Sequence, residues 1–301
     1  MKKNHLNNCN LFNIYKDIKN KFINKKDYYI PVQENIDLSV INNPRDKTQI
    51  TWLGHNTFLI QVDKINIIVD PLFSKYLENV KRVNTSKNFP EKLPKIDYVI
   101  ISHNHFDHLS FTSIKELKGQ PKFIVPEGLK QLFIENGYKD NCIKELSWFE
   151  TTYLNKIKIT FVPSKHISNR GFFNKYKSLW GGYIIEDIGS DNSIYFAGDS
   201  AYFNGFKTIG EKFKIKYALM PIDCYEPEWY KEEQENNVQN SVKAFKELKA
   251  EYFIPMHYGS YIMKNNMPKK SLEKLKEIWI KERLEKEKLI ILKIDETLIC
   301  K

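Results

Sequence analysis

Residues 103–108 read HNHFDH and gather three of the chain's seven histidines and one aspartate into six positions. Histidine and aspartate are costly to bury without partners, and crowded histidines repel one another once protonated. A divalent cation reverses this, because neutral imidazole and carboxylate become its ligands and the crowding becomes attraction. The chemistry predicted here is a metal site. A polar surface turn with coincidental histidines is the alternative, and the rest of the chain decides between them.

Three further polar residues stand directly after apolar runs, where core packing gives no reason for them. FVPSKH places His166, IYFAGD places Asp199 and FIPMH places His257. Singly, each has an ordinary explanation as a satisfied structural histidine or a Gly-Asp turn. With His103, His105, Asp107 and His108 they make five histidines and two aspartates, enough for two metal ions. Such ligands suit zinc, iron and manganese alike.

The elements that must position these residues are short β-like runs. QITWLG, TFLIQV and INIIVDP, broken by Gly54, Asn56 and the Asp63-Lys64 turn, predict an antiparallel meander. DYVIIS (97–102) reads as a buried strand delivering HNHFDH at its C-terminal end, where ligand sites gather in α/β sheets. A helix capped by Ser110 or Thr112 follows, then a strand KFIVP, then a helix from Pro126 to Gly137. The second half repeats the grammar: strands KIKITFVPSKH, SLWGGYIIED, SIYFAGDS and KYALMPI, a helix around NSVKAFKELKA, and EYFIPMHYG. SLEKLKEIWIKERLEKEKLIILKI closes the chain as an amphipathic helix followed by a short strand. Two such halves predict an α/β (α+β) sandwich, sheet against sheet with helices outside. Residues 1–48 read as a basic N-terminal extension and 49–301 as a single domain.

At 301 residues, 42% hydrophobic and 14% aromatic, the chain is expected to be globular. Cys9, Cys142, Cys224 and Cys300 form no C-x-x-C pair and read as reduced thiols. No signal-peptide core and no run of about 18 apolar residues appears, so the expectation is a cytoplasmic protein. The net charge of +10 is spread over the chain and predicts a solvated lysine-rich surface and no specific nucleic-acid partner. Residues 1–31 carry seven lysines against two aspartates, which suits peripheral contact with an anionic membrane or simple packing.

The order H-x-H-x-D-H, isolated His, strand-end Asp, final His resembles the metallo-β-lactamase fold superfamily. WLGHNTFLI, VDP, PSKH, LWGGYIIE, FAGDSAY, MPIDCYEPEWY and PMHYGSY are similar to the N-acyl-phosphatidylethanolamine-hydrolysing phospholipase D family and its bacterial relatives, over residues 49–262. The resemblance implies a four-layer αββα sandwich holding two zinc ions. His103, His105 and His166 would hold one, Asp107, His108 and His257 the other, and Asp199 would bridge them. A shared, deprotonated water would be the nucleophile, and no G-x-S-x-G elbow competes for that role. Asp70, between a strand and a proline, would steady the metal-binding loop from behind. His55 in the GHNT turn would face the reaction together with Asp107 and Asp199, a plain turn histidine being its other reading.

The chain also departs from that family. Glu235 stands where a histidine near the substrate is usual, and Val238 where a proline is usual. The implied substrate is an N-acyl-phosphatidylethanolamine-like phospholipid, with the aromatic-rich 171–180, including Phe172 and Phe173, as a candidate acyl groove. A lactone, amide or sugar-derived small-molecule substrate on the same metals is the enzymatic alternative. A non-catalytic metal-binding module is the other, and the complete ligand set argues against it.

Overall fold

The computed structural model describes residues 30–34, 38–43, 47–87, 90–168, 170, 177–222, 237–261 and 268–301. After a short helix α1 (Leu38–Asn42), strands β1 (Gln49–Gly54), β2 (Thr57–Val62) and β3 (Ile65–Val69) form the expected antiparallel meander. A small hairpin of β4 (Tyr76–Leu77) and β5 (Val80–Lys81) intervenes. The sheet then continues in parallel with β6 (Tyr98–Ile100), β7 (Lys122–Pro126) and β8 (Ile143–Leu146). Helices α2 (Phe111–Lys115) and α3 (Lys130–Glu135) connect these strands. Ser110 caps α2, its hydroxyl accepting from the Ser113 N–H at 3.3 Å.

The second half repeats the plan. Strands β9 (Thr151–Leu154), β10 (Ile157–Pro163), β11 (Gly181–Asp187) and β12 (Ser193–Phe196) are antiparallel, and β13 (Tyr217–Pro221) and β14 (Tyr252–Met256) add in parallel. Helices α4 (Gly205–Lys212), α5 (Asn237–Leu248) and α6 (Pro268–Lys281) accompany them. The final strand, β15 (Thr297–Ile299), returns to the first sheet and pairs antiparallel with β1, giving orders β15-β1-β2-β3-β6-β7-β8 and β14-β13-β12-β11-β10-β9.

Period-two alternation sorts the side chains into layers. Trp52, Phe58, Ile60, Ile67, Val69 and Ile100 face inward and share one core with Phe161, Tyr183 and Phe196 of the second sheet. The alternate residues Leu53, Leu59, Ile68, Val99 and Ile101 face outward and pack on Leu132 and Phe133 of α3 and Ile114 of α2. Across the molecule, Phe253 of β14 meets Phe245 of α5 and Trp279 of α6 with ring centres 5.5 Å from each. The stack is therefore helix, sheet, sheet, helix. Each fully buried Phe or Leu contributes about 1.5–3 kcal/mol to holding it.

Two local expectations are corrected. Pro126 ends β7 instead of opening a helix, and α3 begins four residues later. The last strand is Thr297–Ile299, while Leu289 and Ile294 make only isolated bridges to Phe253 and Val32. Of the expected N-terminal extension, residues 1–29 lie outside the described residues. Ile30 and Ile41 are buried, the Ile41 carbonyl accepts from Gln61 Nε2 at 2.8 Å, and the Gln33 N–H donates to the Ile294 carbonyl at 2.8 Å.

Candidate metal centre

The candidate metal ligands, with His55 and Asp70, all follow strands at the same end of the sandwich. His55, Asp70 and the His103–His108 loop follow β1, β3 and β6 of the first sheet; His166, Asp199 and His257 follow β10, β12 and β14 of the second. Hydrogen bonds lace these loops together. The His257 N–H donates to the His55 carbonyl (3.2 Å), the Asn104 N–H to Ser168 Oγ (3.1 Å) and the Ala201 N–H to the Lys165 carbonyl (2.9 Å). His55, Asp70 and His257 have φ of 53°, 40° and 61°. Such left-handed backbone is uncommon outside glycine, and it collects at functional sites.

The seven candidate ligands fall into two groups that share Asp199: His103, His105, His166 and Asp199, and Asp107, His108, Asp199 and His257. In the first, His105 Nδ1 lies 3.0 Å from His103 Nε2 and 3.2 Å from His166 Nε2. Asp199 Oδ2 lies 3.9 Å from His103 Nε2 and 4.0 Å from His166 Nε2. In the second, Asp199 Oδ2 lies 3.2 Å from His108 Nε2, Asp199 Oδ1 3.3 Å from His257 Nε2, and Asp107 Oδ2 3.5 Å from both rings. Four donors at bond lengths of about 2.0–2.1 Å around a tetrahedral ion stand about 3.3 Å apart. The nitrogen and oxygen donors are of the right kind and near that spacing, so both groups fit a divalent cation.

Asp70 lies behind this layer. Its Oδ2 is 2.7 Å from His108 Nδ1 and accepts from Ser102 Oγ at 2.6 Å, while its Oδ1 accepts from the Ser102 N–H at 2.8 Å. Ser102 Oγ is in turn 2.9 Å from His103 Nδ1. One carboxylate and one hydroxyl thus hold the Nδ1 atoms of a histidine from each group, turning both Nε2 atoms towards the centre. His55 joins from the side, its Nε2 3.4 Å from Asp107 Oδ2 and its ring centre 4.3 Å from that of His257.

The electrostatics separate the histidines. Burial lowers His55 and His166 to about 4 and holds His103 well below the ordinary imidazole range. Burial also opposes charge on His257 and His108, but Asp199 and Asp107 beside them prevail, raising His257 to about 10 and His108 well above its usual value. Despite their burial, Asp107 and Asp199 are held well below the carboxylate range, chiefly by His108. Two adjacent carboxylates, one buried and one half-buried, that need positive charge beside them are what a divalent cation satisfies.

Sequence reasoning missed Ser102, whose only signal was its place before His103, and Arg82 and Arg170, which carry no pattern at all. Arg82 is buried and donates to the carbonyls of Leu72 (2.6 Å), Asn84 (3.2 Å) and Leu53 (3.3 Å), tying the end of β1 to the chain after β3 and β5. Phe172, Phe173 and most of the candidate acyl groove, together with Glu235, lie outside the described residues. Val238 is buried in the main core. Among the described residues no helix is long and apolar enough to cross a membrane, and Cys142 and Cys300 are free thiols.

Comparison with known proteins places this geometry. The family profile described as a beta-lactamase superfamily domain matches residues 65–258. The chain is 33% identical over 261 residues to a mitochondrial N-acyl-phosphatidylethanolamine-hydrolyzing phospholipase D of Saccharomyces cerevisiae, covering 81% of this chain and 55% of that protein. It is 32% identical over 230 residues to N-acyl-phosphatidylethanolamine-hydrolyzing phospholipase D 1 of Caenorhabditis elegans, covering 71% and 64%. The chain thus spans less than two thirds of either relative's length. Among solved structures, the metallo hydrolase Igni18 of Ignicoccus hospitalis superposes with a TM-score of 0.62 at 22% identity, covering 85% of this chain and 99% of that one, a likeness of fold.

Proposed function

The chain belongs to the beta-lactamase superfamily, and on that footing we propose that it is a dinuclear zinc hydrolase cleaving phosphodiesters, with N-acyl-phosphatidylethanolamine-like phospholipids as its substrate class. The observation that carries the reading is the pair of four-donor groups meeting at Asp199. In this reading His103, His105 and His166 hold one ion, Asp107, His108 and His257 the second, and Asp199 both. Two divalent ions held there supply Lewis acidity and a water whose pKa falls towards neutrality.

The chain's own residues do the rest. Asp70 and Ser102 fix the rings of His108 and His103, so the donors need not reorganise when charge develops. His55, neutral at pH 7 and next to Asp107, is placed to exchange a hydrogen bond with a group entering beside that carboxylate. Asp70, Ser102 and His108 are fully buried behind the site. The phospholipid class comes from the names of the yeast and nematode relatives. The free thiols fit a reducing compartment, and we place the protein in the cytoplasm, meeting a phospholipid surface peripherally.

Metal content by plasma mass spectrometry, with bis-p-nitrophenyl phosphate and N-acyl-phosphatidylethanolamine vesicles assayed on the same sample, tests this. Two metals per chain and turnover that disappears on chelation are expected. A protein that takes up no metal when zinc is added, and turns over neither substrate, overturns it.

A further inference from the structure

The two metal groups are not equally covered. His105, Asp107 and His166 are half-buried, whereas His103, His108, Asp199 and His257 are buried. Two of the half-buried donors, His105 and Asp107, lie on the loop against which Arg170 packs. Its Nη1 donates to the carbonyls of Asn104 (3.0 Å) and Leu109 (2.7 Å), which bracket His105–His108, and its guanidinium carbon lies 4.1 Å from the ring centre of Phe106 in the same loop. Phe106 is 51% exposed, so the stack lies at the surface of the site.

Among the described residues, Nε and Nη2 of Arg170 meet no acceptor and no carboxylate pairs with the side chain. Burial draws its pKa down to about 10, leaving it charged at neutral pH, and its charge helps burial hold His105 low. A part-buried cation without a counter-ion is costly unless something completes it. The open side is the Nε–Nη2 edge, which binds phosphate or carboxylate through two parallel hydrogen bonds. Two carbonyls and an aromatic face already fix the group, so little order is lost when an anion arrives.

We propose that Arg170 is the anion-recognising residue of this centre, its Nε–H and Nη2–H holding a non-reacting oxygen of a monoanionic phosphodiester. This rests on the metal-hydrolase reading and deepens it: the preferred substrate carries a negative charge beside the bond that breaks, which sets it apart from a neutral lactone or ester.

The test compares two esters with the same leaving group, the anionic bis-p-nitrophenyl phosphate and the neutral diethyl p-nitrophenyl phosphate, in the metal-loaded full chain. Arg170→Met keeps a side chain to lie on Phe106 but removes the fork. Its KM for the diester should rise about 10- to 100-fold, as for loss of a charge-assisted pair, with the triester unchanged and two metals still bound. Arg170→Lys keeps the charge without the fork and should fall between. Equal losses on both esters, a lower metal content, or a Lys variant equal to wild type on the diester would overturn the assignment and leave Arg170 as a loop clamp. Calorimetric binding of dimethyl phosphate to the loaded proteins separates this from the hydrolase reading. If wild type turns over neither ester yet binds dimethyl phosphate about 10- to 100-fold tighter than Arg170→Met, the anion site stands and the hydrolase reading falls. Equal binding removes the anion site whatever the catalysis.

Discussion

Asp70 Oδ2 lies 2.7 Å from His108 Nδ1, and neither side chain touches solvent. Burial raises the Asp70 pKa, while His108 and the two Ser102 donors pull it back, so this carboxylate is kept as an acceptor by the groups it orients. The arrangement predicts that Asp70→Asn, which can present an amide N–H to His108, loosens both rings. Metal affinity should fall about 10- to 100-fold, read by competition with a chromogenic chelator, with little change in the folded spectrum. Unchanged affinity would mean that the contact only packs the loop.

Asp199 is the one residue common to both donor groups. Asp199→Ala should abolish hydrolysis and lower the metal content of both sites, whereas His166→Ala should weaken only the first and His257→Ala only the second. Plasma mass spectrometry of the three purified variants checks the pattern. Full activity in Asp199→Ala would refute the bridging assignment.

Asp199 reaches the centre because Gly198 lets two sheets converge. Gly198 has φ +60°, and a Cβ there would stand 2.8 Å from both the Gly181 carbonyl oxygen and Ser102 Cβ. Gly198→Ala should cost about 1–3 kcal/mol of stability and lower metal affinity, since it pushes β12 away from Ser102. Gly137→Ala is the control. Its φ is +90° with nothing within 4 Å, so it should lower Tm with metal affinity unchanged. Equal metal affinity in the two variants would show that crowding at Gly198 does not govern the site.

The metal-binding words were legible because their logic is local. A loop dense in histidine after an apolar run needs no knowledge of its neighbours, and His166, Asp199 and His257 each interrupt such a run. Asp70 was singled out through the family resemblance, since its Asp-Pro setting alone reads as a turn. Arg170, Arg82 and Ser102 were not legible, because their roles arise only when distant chain segments meet: Arg170 acts on carbonyls 61 and 66 residues away. The sandwich itself was legible from its strand grammar, and only a few of its elements were missed in the same way. Strands β8 and β9 are short and only partly buried, and carry too few alternations to read. In α4, Gly210 looks like a breaker, yet a Cβ there would come 2.3 Å from the Glu247 carbonyl oxygen, so the glycine serves the close packing of α4 on α5.

Removing the metals should leave the sandwich folded but measurably weaker. The inward core and both helical layers do not depend on the loops at the metal-bearing end, yet stripping would return Asp107 and Asp199 to relying on His108 and His257 for positive charge. A ligand bound only by the folded state at about 1,000 times its Kd adds about 4 kcal/mol, a shift in Tm on the order of 10 °C for a domain of this size. Differential scanning fluorimetry of stripped protein titrated with zinc, manganese and ferrous iron should show such a rise for the metal that also restores turnover. Because both groups draw on Asp199, the gain should nearly vanish in Asp199→Ala and be roughly halved in His166→Ala. A stripped wild type that melts with the loaded protein, or an Asp199→Ala variant that gains as much as wild type, would mean that the metals bind elsewhere than between these loops.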